Sequence, residues 1–100
     1  IMDKNIIDRI RKYFSQQPVV KAWLFGSMSR GSYNQDSDVD ILVKFDPDAE
    51  IGLFEHASMA MDLEEILKRA VDLVTEGTLF PWVQEEVERE KILIYERETV

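Results

Sequence analysis

The chain predicts an α/β (α+β) fold, a small β-sheet with flanking helices, and three observations lead there. Helical and strand patterns alternate along the 100 residues without a linker. Two apolar, β-branched runs, Val19 to Phe25 and Val39 to about Phe45, flank a segment rich in small residues. With 45% hydrophobic residues, a chain of this length can form one modest core, so residues 1–100 read as a single domain.

Each element has its own signal. Asp3 can cap a first helix in which Ile6, Ile7, Ile10 and Phe14 recur at helical spacing, and Pro18 closes it before the first strand. Val19 to Phe25 then ends at Gly26, which places the Gly26-Ser27 pair where a strand turns into a helix. A short helix is expected from about Ser27 to Tyr33. The second strand carries Asp40, and Pro47 and Gly52 bracket the loop after it. Leu53, Ala57, Met61 and Leu67 set the apolar stripe of a long amphipathic helix, followed by a short strand around Asp72. Pro81 occupies the first turn of a fourth helix through about Glu90, and Ile92 to Tyr95 closes the chain as a strand. The charged run Glu85 to Lys91 reads as a wet helix face.

Composition narrows the function. A formal charge of −8 disfavours nucleic acid as the main partner, because phosphate contacts need clustered Lys and Arg. Acidity also argues against a membrane-surface role. Without cysteine there is neither a disulfide nor a thiolate zinc site, which is compatible with the cytoplasm. No apolar run approaches the ~20 residues needed to cross a bilayer, and the N-terminus lacks a signal-peptide pattern. Ile1 ahead of Met2 reads as a cloning remnant.

The chemistry concentrates between Gly26 and Asp40. The first turn of a helix leaves amides without intrahelical partners and carries partial positive charge, so Gly26 and Ser27 can hold phosphate oxygens. Ser27 adds a hydroxyl donor. Alternation along a strand puts Asp38 and Asp40 on one face, with Val39 buried behind them. Two adjacent carboxylates repel unless a cation or a shared proton lies between them, and oxygen ligands of this kind suit Mg²⁺ with substrate phosphates.

Rival readings fit less well. Gly26-x4-Gly31 has Walker A spacing, but Ser32-Tyr33 follows where that loop requires Lys and then Ser or Thr. Asp36-x-Asp38-x-Asp40 opens like a calcium loop, yet Ile41 replaces the turn glycine and Pro47 the closing glutamate. An isolated Ser-Asp-x-Asp would read as a surface turn; the glycine-serine pair at its fixed distance upstream speaks against that. His56, the only histidine, falls on a helix and is left out of the site. Trp23 and Phe25 read as core aromatics, and the apolar cluster Leu79, Phe80 and Trp82 as a protein contact.

Gly26-Ser27, ten intervening residues and then Asp38-x-Asp40 resemble the signature of the DNA polymerase β-like nucleotidyltransferase superfamily. The fuller string, Gly-Ser-x-x-Arg-Gly-x5-Ser-Asp-x-Asp, looks like its minimal nucleotidyltransferase (MNT) branch. The resemblance runs from about Val19 to Tyr95 and implies a small mixed sheet. It also implies a third carboxylate from a neighbouring strand, for which Asp72 in Ala70-Val71-Asp72-Leu73-Val74 stands in the matching context. Asp38, Asp40 and Asp72 would then be the catalytic, metal-holding set for two Mg²⁺ ions about 4 Å apart, with ATP as substrate. Gly26, Ser27 and Arg30 would hold its phosphates; the bland alternative for Arg30 is a surface pair with Asp36 or Asp38.

MNT proteins commonly pair with a small helical HEPN partner, so the resemblance implies transfer of AMP to a partner hydroxyl by the antitoxin of a two-component system. The alternative is a noncatalytic antitoxin or nucleotide-binding subunit acting by contact. Transfer to a small molecule is disfavoured because no acceptor-binding domain is evident, and a homo-oligomer is left open.

Overall fold

A computed structural model describes residues 4–34 and 36–98, and along them four helices alternate with four strands. Helix α1 (Lys4–Phe14) buries Ile6, Ile7, Ile10 and Phe14, which share one face at 3.6 residues per turn. Its expected cap, Asp3, lies outside the described residues. Strand β1 (Val19–Phe25) runs antiparallel to β2 (Val39–Phe45) and to β4 (Ile92–Glu96). Strand β3 (Val71–Thr75) pairs with β2 in parallel, giving a mixed sheet of order β3-β2-β1-β4. A parallel neighbour requires a crossover, which is helix α3 (Leu53–Leu67).

Alternation divides the sheet into two faces. Ala22, Leu24, Val39, Ile41 and Val43 point to the side where α1 and α3 pack, forming the main core with Phe14, Leu63 and Leu73. Tyr13 ties the two helices by donating to Asp62 at 2.6 Å. Trp23 and Leu42 point the other way and are covered by Val87 of helix α4 (Pro81–Glu90), with Phe25 and Val74 packed at the margin. Two steps from Leu42 and from Val74 along their strands, Asp40 and Asp72 share this second face. None of the described helices is long and apolar enough to cross a membrane.

Two expectations need correction. The helix after Gly26, α2, spans only Ser27–Arg30, because Gly31 turns left-handed at φ 73° and its amide closes onto the Ser27 carbonyl. Of the apolar stripe expected for α3 only Leu67 meets the sheet: Met59, Leu63 and Leu67 are buried, whereas Leu53 is 83% and Met61 67% exposed. That helix carries apolar residues on two opposite sides. Period alone identifies a stripe and cannot say which stripe meets the sheet.

The end of α3 supplies a stability prediction. Lys68 sits at φ 57°, ψ 38°, with its amide bonded to the Glu64 carbonyl at 2.8 Å. Left-handed backbone costs a side-chain-bearing residue roughly 1–2 kcal/mol, part of which glycine gives back through its freer unfolded chain. Lys68→Gly is therefore expected to raise stability by about 0.5–1 kcal/mol, seen as a higher urea midpoint at unchanged slope. A midpoint equal to or below the parent's would refute the strain at this position.

Candidate active site

The site begins where β1 ends. Phe25 faces Asp40 across the antiparallel ladder, and the next residue, Gly26, adopts φ 68°, ψ −146°, a region that side chains exclude. A Cβ at Gly26 would overlap Oδ2 of Asp40. Glycine is thus required twice here, for the turn and for the close approach of that carboxylate. The Gly26 carbonyl accepts the Ser29 hydroxyl at 2.9 Å and the amides of Ser29 and Arg30 at 3.2 Å, which makes α2 one tight turn. Ser27 opens that turn, half-buried.

Asp38 lies exposed one residue before β2, Val39 is buried behind it, and Asp40 is half-buried. In the parallel ladder Asp40 stands directly opposite Asp72, at the interstrand spacing of about 4.8 Å. The Asp40 carboxyl is pushed above the usual carboxylate range, first by burial, then by repulsion from Asp72 and from Asp38, with Arg30 opposing. The other two sequence-predicted aspartates and Arg30 therefore all act on Asp40. The aspartates are aligned more than clustered: among the described residues no three Asp, Glu, His or Cys side chains converge on one point. An all-carboxylate donor set, one member of which is costly to keep ionised, fits a hard divalent cation such as Mg²⁺.

The half-exposed Arg30 is engaged by neither Asp36 nor Asp38; its Nη1 donates to Oε2 of Glu90 on α4 at 3.0 Å. Sequence reasoning missed Glu90, which is hidden within an otherwise wet charged run. It also missed Arg69, whose guanidinium reaches backbone carbonyls ahead of Asp38. Only its place just before the Asp72 strand could have flagged it. His56, half-buried on α3, donates its Nε2–H to the Leu73 carbonyl at 2.7 Å. Trp23 is core, with Lys91 Nζ 4.4 Å above its ring. A hollow of about 680 Å³ between α1 and β4 is lined by none of the site residues.

Asp40 gives a pH-dependent prediction for the metal-free protein. A carboxyl whose folded pKa is raised contributes stability that is complete below its unfolded value, about 3.9, and is lost as pH rises through the folded value. Ionised Asp40 therefore weakens the fold at neutral pH. Asp40→Asn is expected to raise Tm at pH 7 in chelator by on the order of 1–3 °C after solvent screening, a difference that shrinks toward pH 4. An unchanged or lower Tm at pH 7 would argue against a repulsive cluster.

Known proteins resemble this chain in sequence and fold. Residues 8–100 match the family model described as polymerase beta, nucleotidyltransferase. The Methanocaldococcus jannaschii protein MJ1379, named provisionally as a protein adenylyltransferase, is 33% identical over 93 residues, covering 91% of this chain and 93% of its own. The protein adenylyltransferase MntA of Thermococcus cleftensis is 39% identical over 72 residues, 71% of this chain and 70% of its own. A chain from the solved complex of a tri-AMPylated Shewanella oneidensis HEPN toxin with an MNT antitoxin has the same fold. Its TM-score is 0.72 at 20% identity, over 96% of this chain and 74% of that one. With a glycine-ended strand beside two aspartates in ladder register, and a match that extends through α4 and β4, this chain belongs to the polymerase beta nucleotidyltransferase family.

Proposed function

We propose that this nucleotidyltransferase is a Mg²⁺-dependent protein adenylyltransferase that moves AMP from ATP to a hydroxyl of a HEPN-type partner protein, as the antitoxin of the pair. The observation that carries this reading is the register of Asp40 opposite Asp72, beside a Gly26 turn that admits no side chain. Relatives named as protein adenylyltransferases support the reaction, and the fold-level likeness to an MNT antitoxin supports the partner. In this reading residues 1–100 are one catalytic domain, the acceptor is held by the partner, and both work in the cytoplasm.

Asp38, Asp40 and Asp72 would hold two Mg²⁺ ions, which when bound neutralise the triphosphate and activate the acceptor hydroxyl. The turn at Gly26 and the Ser27 hydroxyl hold the phosphates that leave. Arg30 has five donors and uses one on Glu90 at 3.0 Å, so others can reach the same phosphates. Asp72 accepts the proton of the acceptor hydroxyl as the new bond to the α-phosphorus forms and the bond to pyrophosphate breaks. The repulsion that raises Asp40 is relieved once positive charge is present. At the start of α4, Phe80 and Trp82 are exposed and stacked with centroids 5.0 Å apart, a surface suited to the partner, whereas Leu79 joins the second core.

The test is to incubate the purified protein with its HEPN-type partner, ATP and Mg²⁺, and to weigh the partner intact. Addition of AMP that needs both nucleotide and cation is expected. An unmodified partner that is nonetheless neutralised would overturn the enzymatic reading in favour of neutralisation by contact.

A further inference from the structure

Where the β2–β3 ladder begins, a side chain and a backbone bond tie the turn that carries the first aspartate to the stretch that leads to the third. After α3 reverses at left-handed Lys68, the next residue, half-buried Arg69, extends toward the turn ahead of β2. Its Nη1 donates to the Asn34 carbonyl at 2.7 Å and reaches the Ser37 carbonyl at 3.4 Å. One residue on, the Ala70 carbonyl accepts the Val39 amide at 2.9 Å. Ser37 and Val39 are the immediate neighbours of Asp38, so both peptides beside that aspartate are held by residues 69–70. The same two residues lead directly into β3 and Asp72.

The turn also carries bonds of its own, from the Asn34 amide to Ser37 Oγ at 2.9 Å and from the Asp36 amide to Asn34 Oδ1 at 2.8 Å. Those shape the turn without locating it against the sheet. Asp38 sits outside the ladder that registers Asp40 with Asp72, so its place relative to them depends on what anchors the turn. Arg69 directs its hydrogen bonds to carbonyls and not to the aspartates. It can therefore fix position without an ion pair to an aspartate that a bound cation would have to break.

We propose that Arg69 is a positioning residue that sets Asp38 against the Asp40–Asp72 pair and thereby governs the affinity of the site for a divalent cation. This rests on reading the three aspartates as metal ligands. The test uses the full chain, with Mn²⁺ titrated by electron paramagnetic resonance in the presence of a nonhydrolysable ATP analogue. Arg69→Ala is expected to weaken Mn²⁺ binding about tenfold or more, as loss of a group that orients a ligand does, and Arg69→Lys by less. In the metal-free protein, the Val39 amide should exchange with solvent faster in Arg69→Ala than in the parent.

A merely structural role would not produce the decisive result, which is coupling: on an Asp38→Asn background, Arg69→Ala should weaken Mn²⁺ binding no further. Parental affinity in Arg69→Ala, or losses that add in the double variant, would overturn the proposal. Should Arg69→Ala fail to fold, Arg69→Lys decides alone, with parental Mn²⁺ affinity or an additive loss counting against it. Parental affinity in Asp38→Asn by itself would instead remove the metal-ligand reading, and the role of Arg69 with it.

Discussion

Asp72→Asn is expected to abolish AMP transfer, lowering the single-turnover rate by at least the ~10²–10⁴-fold that a positioned base contributes, while the protein stays folded and binds its partner. Asp72 is exposed on an edge strand and lies opposite Asp40, so the amide neither opens a cavity nor leaves a buried group without a partner. It does remove one of the charges that push Asp40 upward, so Tm should hold or rise slightly. What the amide cannot do is take a proton or give a cation an anionic ligand. The measurement is the rate of AMP addition to the partner by intact mass, beside Tm and partner affinity of the same preparation. Transfer within threefold of the parent would take Asp72 out of the chemistry.

Gly26→Ala should be nearly as damaging by a different route. The methyl meets two obstacles together: backbone at φ 68°, ψ −146°, which costs a side-chain-bearing residue roughly 1–3 kcal/mol, and overlap with Oδ2 of Asp40. The Asp40 carboxylate is the softer of the two, so it should swing away and leave its place beside Asp72. A misplacement of about 1 Å at a reacting centre can cost ~10²-fold in rate. Loss of stability and loss of transfer are therefore both expected, with transfer failing even at temperatures where the variant is fully folded. Calorimetric Tm and the transfer rate at 20 °C below it, measured together, check this. A folded Gly26→Ala protein with parental activity would show that the glycine serves the turn alone.

Most of the candidate site is legible in sequence because its parts are local and chemically loud. A strand ending in glycine, a serine after it, and aspartates spaced to share a strand face all follow from steric rules and from the two-residue period of a strand. These act over a few residues, and Gly26, Ser27, Asp38 and Asp40 were found that way. Asp72 was visible only through family resemblance, since nothing within its own strand says which neighbour it meets. The helix over Ser27 is shorter than the expected span to about Tyr33 because Gly31, free to turn left-handed, ends it after one turn. Of the expected stripe of α3 only Leu67 is buried, because that helix has two apolar sides and sequence period does not choose between them.

Sequence by itself thus determined the order of helices and strands, the glycine turn and the strand-face pairing of the candidate carboxylates Asp38 and Asp40, since backbone sterics and side-chain chemistry need only near neighbours. Tertiary structure alone decided the register of Asp40 against Asp72, the capture of Arg30 by Glu90, and the anchoring of the Asp38 turn by Arg69. Those contacts join residues 32 to 60 positions apart. Their partners are selected by how the sheet is crossed and which faces the helices cover, which the packing of the whole core fixes and no local pattern encodes.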